Sequence, residues 1–507
     1  MLNVQNISIM ATMIVYLAFM IAIGIIFSKR NQSSDDFYLG GRKLGPFVTA
    51  MSAEASDMSS WLLMGLPGVA YLSGMADAAW TAIGLAVGTY LNWLFVSKRL
   101  RRYSAKIGSI TVPDFFTKRF HDRSHALETI AAVVIIVFFV PYVGSGFAAC
   151  GKLFNSLFGV EYWKAMVVCG IIIAVYTMLG GFMAASFTDL IQSIIMSIAI
   201  VVVLGFGIAS AGGVGAVVQN AQALPGYLHL NQMYLADSGT ATAYGPITVI
   251  STVAWGLGYF GMPHILLRFM AIKDEAKLKL SRRIASIWVV IAMFIAISIG
   301  IIGKSMSDLG LVESLSGSAS ENIIIRIAYL ISSHGVLAAI VAGLILAGIL
   351  AATMSTADSQ LLAASSSVTQ NIIGGLFGKK LEQKKSLIIA RLTVLIVAII
   401  GMVIARDPNS SVFRIVSFAW AGFGAAFGPL MLLSLFWKRT TRAGALAGMI
   451  GGAAMIFIWK FGVRPLGGAL DIYELLPAFI VSIVLIIVVS LATKAPEKAI
   501  VEEFESV

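Results

Sequence analysis

The feature that most limits what this chain can become is a succession of apolar, nearly uncharged segments, each long enough to cross a hydrocarbon layer. They fall near residues 8–28, 45–72, 76–97, 125–150, 162–179, 183–212, 243–262, 284–303, 325–369, 387–405, 412–437, 443–462 and 474–493. A transmembrane helix needs roughly 17 to 25 such residues, so the pattern predicts an all-α polytopic membrane protein of about thirteen helices. With 58% of its 507 residues hydrophobic, 12% charged and a mean hydropathy of +0.90, the chain matches no soluble globular class. The stretch 325–369 exceeds one simple crossing, and its Ser- and Thr-rich second half is expected to leave the membrane as a helix near residue 370. The first apolar run follows a neutral Met1–Asn6 with no basic leader, so it is expected to remain as a transmembrane helix.

Lys and Arg collect in alternate loops: Lys29, Arg30, Arg42 and Lys43; then Lys98, Arg99, Arg101, Arg102, Lys106, Lys118, Arg119 and Arg123; then Arg268, Lys273, Lys277, Lys279, Arg282 and Arg283. Lys379, Lys380, Lys384 and Lys385, and then Lys438, Arg439 and Arg442, continue on the same side. By the positive-inside rule these loops are cytoplasmic, which puts the N-terminus outside and the acidic Glu502-Glu503-Phe504-Glu505 tail inside a multi-pass plasma-membrane protein. The formal charge of +11 is therefore a topology signal in a chain whose surroundings are the lipid bilayer, and it needs no nucleic-acid partner. The loop from Gly212 to Tyr244 has no Lys or Arg and is expected to be an external surface excursion. Cys150 and Cys169 are too few and too separated for a metal or disulfide framework, and read as small core residues.

Two segments break the helical pattern in corresponding places. Between Gly45 and Leu72 the centre reads Ala53-Glu54-Ala55-Ser56-Asp57-Met58-Ser59-Ser60-Trp61, and Asp57 lies ~18 Å along a helix begun at Gly45, near mid-membrane. A carboxylate at that depth is costly, faces a polar interior and marks an ion or substrate pathway by default. About five helices later comes Ala254-Trp255-Gly256-Leu257-Gly258-Tyr259-Phe260-Gly261-Met262-Pro263-His264, where each glycine costs a helix about 1 kcal/mol and the proline ~3. Paired interrupted helices point to an inverted-repeat transporter with its substrate at the midplane.

Sodium takes hard oxygen ligands, which unwound carbonyls and Ser, Thr or Asp side chains supply. In the ninth span Ala352, Ser355, Thr356 and Ser359 share one helical face. Any single hydroxyl there has a plain alternative, a bond back to the i−4 carbonyl. Asp358 sits about 100° round the helix from Ser359 and either joins the stripe or approaches the cytoplasmic interface.

Ser56-Asp57-Met58-Ser59, Trp61-Leu62-Leu63-Met64-Gly65, Trp255 to Gly261 with Pro263-His264, and Met354-Ser355-Thr356 together resemble the sodium/proline symporter branch of the solute:sodium symporter family, from about Tyr38 to Gln370. The resemblance implies thirteen helices with a five-plus-five inverted repeat: 45–212 as the first repeat and 243–437 as the second. Helix 1 and the two helices of 443–493 are then peripheral, and 494–507 is a cytoplasmic tail. It implies inward sodium flow coupled to L-proline uptake, with Na⁺ as coupling ion and no organic cofactor. The implied sodium ligands are the carbonyls of Ala55, Met58 and Ala352 with the hydroxyls of Ser355 and Thr356, and Asp57 is the acid on which sodium affinity depends. The implied substrate site is Ser56, Ser59, Trp61, Gly65, Tyr142, Trp255, Tyr259 and Pro263, aromatic faces enclosing a pyrrolidine ring while helix ends and hydroxyls meet its charged groups. Trp255 and Tyr259 have the alternative of core or interfacial aromatics. Arg42 resembles a cytoplasmic-gate arginine, against a plain positive-inside charge; Asp189 resembles an acid that in some members helps bind a second sodium, against simple pairing with a helix N-terminus. Asp358 and Ser359 are the other candidates for that second ion.

The departures are Glu54 and Ser60, where the proline branch usually has Gly, and Met262, where it usually has Gln. They admit another small amino acid or a betaine as the solute. Glu54, three residues ahead of Asp57, either shares its cavity face or turns toward the cytoplasmic basic loops, the commoner fate of such an acid. Other classes find less support. The five histidines, His121, His125, His229, His264 and His334, are scattered in or next to loops and form no catalytic constellation. No phosphate-cradling Gly-x-x-x-x-Gly-Lys-Ser/Thr run is present, and a transporter-like sensor would need a signalling domain that the short tail does not supply.

Overall fold

The computed structural model describes residues 4–28, 38–376 and 382–507. Lys29, Arg30, Lys379 and Lys380, counted above as orientation charges, lie outside the described residues. Among the described residues ten helices are long and apolar enough to cross a membrane, or eleven if Pro246–Gly261 and Pro263–Ala271, bent by 46°, are one span. They share one continuous hydrophobic core, while Ile14, Phe19, Val201, Phe294, Val403 and Val488 point outward from it, as lipid-facing side chains do.

Tyr162–Ser210 runs 49 residues, about 74 Å at 1.5 Å per residue and more than twice a hydrocarbon layer. It is divided at Gly181 (φ 65°, ψ −176°), a backbone conformation that only glycine adopts without strain, in the gap expected between the spans 162–179 and 183–212. The first broken segment consists of Pro46–Asp57, a π-helical turn Trp61–Gly65 and Leu66–Ser73.

One expectation gains detail and another is corrected. The long stretch 325–369 is two helices, Ile323–Ser332 and Val336–Ser366, separated by the turn at Ser333–Gly335, so its excess length lies at the start as well as in the Ser-rich end. The span placed at 243–262 continues to Ala271, because Pro263 opens a helical segment, Pro263–Ala271, in place of closing one. His264 and Arg268, read as loop residues, are therefore carried into the core.

Residues 212–244 contain the helix Val214–Ala223 and an antiparallel hairpin, Gln232–Leu235 with Thr240–Ala243. At the C-terminus the short helix Lys498–Glu505 lies on basic segments: the Phe504 ring sits 4.6 Å from the Arg99 guanidinium and 4.9 Å from that of Arg119. Lys438 pairs with Glu505 at 2.7 Å. Cys150 and Cys169 are buried free thiols.

Candidate functional site

The first break is built by hydrogen bonds that change partner. Met58 N donates to Glu54 O at 2.7 Å, the last regular helical bond, and then Ser59 N turns to Asp57 O at 2.8 Å. With Met58 at φ −76°, ψ 70°, that contact is an inverse γ-turn. Leu62 N bonds Ser59 O at 3.0 Å. The carbonyls of Ala55 and Met58 thus lose the amides that a continuous helix would give them.

The helix Val336–Ser366 faces this break. Ser355 Oγ donates to Ala55 O at 2.7 Å and lies 3.2 Å from Ala352 O, while Thr356 Oγ1 is buried without a protein partner. Ala55, Met58, Ala352, Ser355 and Thr356 are all buried. Thr353, by contrast, bonds back to Ile349 O at 3.0 Å, the ordinary fate of a helical hydroxyl. Freed carbonyls beside an unsatisfied hydroxyl form the hard-oxygen set that a monovalent cation needs.

Aromatic side chains enclose the other side of the break. The Asp57 carbonyl accepts from Trp61 Nε1 at 3.0 Å and from Tyr142 Oη at 3.3 Å. The Tyr259 hydroxyl donates to Asp57 Oδ2, and Oδ1 has no partner. Trp61 lies 6.1 Å from Trp255, which stacks on Phe413 at 5.0 Å and Tyr473 at 5.6 Å. Tyr259 meets Trp420 edge-on at 5.0 Å. Ser56 Oγ donates to Ala53 O at 3.0 Å, Ser59 Oγ accepts from Trp61 N at 3.3 Å, Gly65 faces Phe413, and buried Pro263 opens the C-terminal half of the second broken helix.

A fold of this kind is known. A Na⁺-coupled sialic acid symporter in a substrate-bound outward-open state superposes with a TM-score of 0.78 over 97% of this chain and 99% of its own, at 18% identity. Mhp1, a nucleobase-cation-symport-1 family transporter, gives 0.55 over 93% and 98%, at 14% identity. The sodium:solute symporter family model matches residues 37–452. The chain belongs to the sodium:solute symporter family. It is 40% identical to the osmoregulated proline transporter OpuE of Bacillus subtilis (strain 168), over 98% of this chain and 97% of the relative. It is 40% identical to the sodium/proline symporter of Escherichia coli (strain K12), over 98% and 95%.

Several residues of this symporter stand where local pattern does not put them. Glu54 does not turn toward the basic loops: it is 1% exposed and accepts from Trp93 Nε1 at 3.0 Å. Arg42 does more than contribute a loop charge, since it donates to Met270 O at 2.7 Å, Ser104 O at 3.0 Å and Ser109 O at 2.6 Å. The bond to Met270 ties the residues before the first broken helix to the end of the second, and the other two tie them to Ser97–Lys106 and the loop that follows it. Asp358 is buried beside Ser359, whose hydroxyl lies 3.2 Å from it. Asp189 accepts from Ser52 Oγ at 2.6 Å and pairs with Arg268 at 3.1 Å.

Sequence reasoning missed four groups. Arg268 was counted as a loop charge and is buried in the core. His264 is fully buried against Phe139 at 5.6 Å. Phe413 and Tyr473 complete the stack on Trp255 from spans far along the chain. Lys152 and Glu321 pair at 2.6 Å, and Glu321 also accepts from the amides of Val412 and Phe413, each at 3.1 Å. Arg268 also donates to the His264 carbonyl at 2.9 Å, an i+4 contact that appears only once Pro263–Ala271 is helical.

Proposed function

We propose that this protein is a secondary active transporter that couples inward sodium flow to uptake of L-proline by alternating access. The observation that carries the reading is the first break itself: freed carbonyls of Ala55 and Met58 face Ser355 and Thr356 on one side, and an aromatic enclosure lies on the other. The printed names of relatives at about 40% identity over nearly the whole chain support proline and sodium as its substrates.

In this reading sodium sits among the carbonyls of Ala55, Met58 and Ala352 and the hydroxyls of Ser355 and Thr356. It ties the first broken helix to Val336–Ser366. Asp57 supplies the compensating charge, and its hydrogen bond from Tyr259 joins the ion site to the second broken helix. A coupling of that kind is worth about 1–3 kcal/mol and acts equally in both directions. The substrate ring lies among Trp61, Tyr142, Trp255 and Tyr259, with Ser56, Ser59, Gly65 and Pro263 around it. In this reading the Lys152–Glu321 pair and the Arg42–Met270 bond are contacts that break in turn as access alternates.

The chain has thirteen spans in this reading, counting Tyr162–Ser210 as two and the broken Pro46–Ser73 as one. Residues 45–212 and 243–437 are the two repeats, flanked by helix 1 and the last two helices, in the cell membrane with the N-terminus outside. The chemistry is transport without catalysis or organic cofactor. The buried Glu54 carboxylate, bonded to Trp93, favours as a second reading a solute slightly different from proline. Uptake of labelled L-proline into proteoliposomes, with and without a sodium gradient and with other amino acids and betaine as competitors, tests both. Sodium-driven uptake blocked best by unlabelled proline supports the first reading; stronger block by another solute supports the second.

A further inference from the structure

A residue from outside the two proposed repeats reaches the aromatic enclosure. Tyr473 stands just before the last spanning helix, Leu475–Ala492, and its ring lies 5.6 Å from the Trp255 indole at an interplanar angle of 26°. Its amide donates to Ser251 Oγ at 2.7 Å, and its hydroxyl donates to Ser417 O at 2.6 Å. Ser251 lies on Pro246–Val253, the N-terminal half of the second broken helix, and Ser417 lies on Val412–Phe436. One buried side chain therefore joins the second broken helix, the span 412–436 and the indole that faces Trp61.

The chain around Tyr473 is itself held on both sides. The next residue, Glu474, is 1% exposed and pairs with Lys460 at 3.3 Å and Arg464 at 3.0 Å, and Arg464 also pairs with Asp471 at 2.8 Å. A buried carboxylate loses several kcal/mol of compensation if it is pulled from its cations, so the connection 459–474 resists displacement. The helix that follows is seated against Val412–Phe436: a Cβ on Gly424 would meet Leu475 Cδ1 at 2.7 Å, and one on Gly428 would meet Phe479 Cε2 at 2.7 Å. Trp255, by contrast, stands on the 3₁₀ segment Ala254–Gly261, whose hydrogen bonds are poorer than those of an α-helix. The ring of Trp255 is thus placed by its neighbours more than by its own backbone.

We infer that Tyr473 is a positioning residue for the solute: it fixes the plane of the Trp255 indole, so that a helix flanking the two repeats sets solute affinity. Its bonds run to Ser251 and Ser417 and not to the oxygens of the first break, so the ion site keeps its own affinity when Tyr473 is changed.

The inference rests on the reading of the enclosure as the L-proline site, and measuring proline and sodium binding in the same variants separates the two. Equilibrium binding of labelled L-proline at saturating sodium, and of labelled sodium without proline, is measured on the purified full chain together with its melting temperature. Tyr473→Leu is expected to weaken proline binding about tenfold, the upper end for loss of one aromatic pair, with sodium binding within about twofold of the parent. Tyr473→Phe keeps the ring and is expected to stay within about threefold of the parent for proline, because Ser417 O retains its helical partner. Ser251→Ala, which removes the acceptor of the Tyr473 amide, should weaken proline binding about threefold in the same sodium-independent way. Unchanged proline affinity in Tyr473→Leu, or proline affinity, sodium affinity and melting temperature falling together, overturns the inference and leaves sodium-coupled proline transport intact. A Phe variant as weak as Leu also overturns it, since the ring would then not be what matters. No proline binding by the parent overturns both the proline reading and the inference. If Tyr473→Leu does not fold, Ser251→Ala decides by the same criteria.

Discussion

The two broken helices interrupt the same kind of apolar span by opposite means. At Asp57–Ser60 the chain turns through Met58, and the turn exposes oxygens: the freed Ala55 carbonyl takes a hydroxyl from across the core. At Ala254–Gly261 the helix tightens to a 3₁₀ form over eight residues, and it presents surface instead. Glycine there removes bulk so that neighbours close in; a Cβ on Gly258 would lie 1.9 Å from Trp420 Nε1. Trp255 and Tyr259 then project from a backbone pinned by Trp420, whose indole donates to Trp255 O at 2.7 Å. One break frees oxygens and the other packs aromatic surface, and they meet at the Tyr259–Asp57 hydrogen bond.

Substitutions that act on one side of this division test it. The largest effect is expected at Gly258→Ala, where a methyl group must displace the Trp420 ring or the backbone, at a cost on the order of 3 kcal/mol. Thermal unfolding in detergent measures it, and a normal melting temperature would remove glycine packing from the account. Trp255→Ala comes next: loss of an aromatic face should weaken L-proline binding by about 2 kcal/mol and leave sodium affinity within a few-fold. An equal loss of both affinities would mean that the second break is not specialised for the solute. Asp57→Ala should raise the sodium concentration for half-maximal uptake roughly tenfold, about 1.4 kcal/mol. Unchanged sodium dependence in a correctly inserted variant takes Asp57 out of the mechanism. Glu54→Gln is the smallest: the amide oxygen can still accept from Trp93, so the sodium requirement should shift by under about 1 kcal/mol. A larger shift would make Glu54 part of the ion site.

The sequence made these two breaks legible because both are local. A carboxylate among small residues at mid-span, and three glycines before a proline, stand out against apolar surroundings whatever the rest of the chain does. The spans were legible for the same reason, apart from places where one apolar run holds two helices, as at Ile323–Ser332 and Val336–Ser366. Pairings across the fold were not. Arg268 looks like any loop arginine until Asp189, 79 residues away, is placed beside it. Glu54 had two fates open, and Trp93 on another helix decided between them. Hydropathy counts the cost of burying a charge; it does not reveal the partner that offsets it.

The division of labour implies that the ion and the solute strengthen each other through Asp57 and Tyr259, and equilibrium binding tests that most directly. Binding of labelled L-proline to the purified parent, titrated against sodium at constant ionic strength with potassium as the replacement ion, should show affinity rising with sodium to a plateau. Sodium affinity should rise with proline by the same factor, as linkage requires. Proline affinity indifferent to sodium, or raised equally by potassium, would contradict the account.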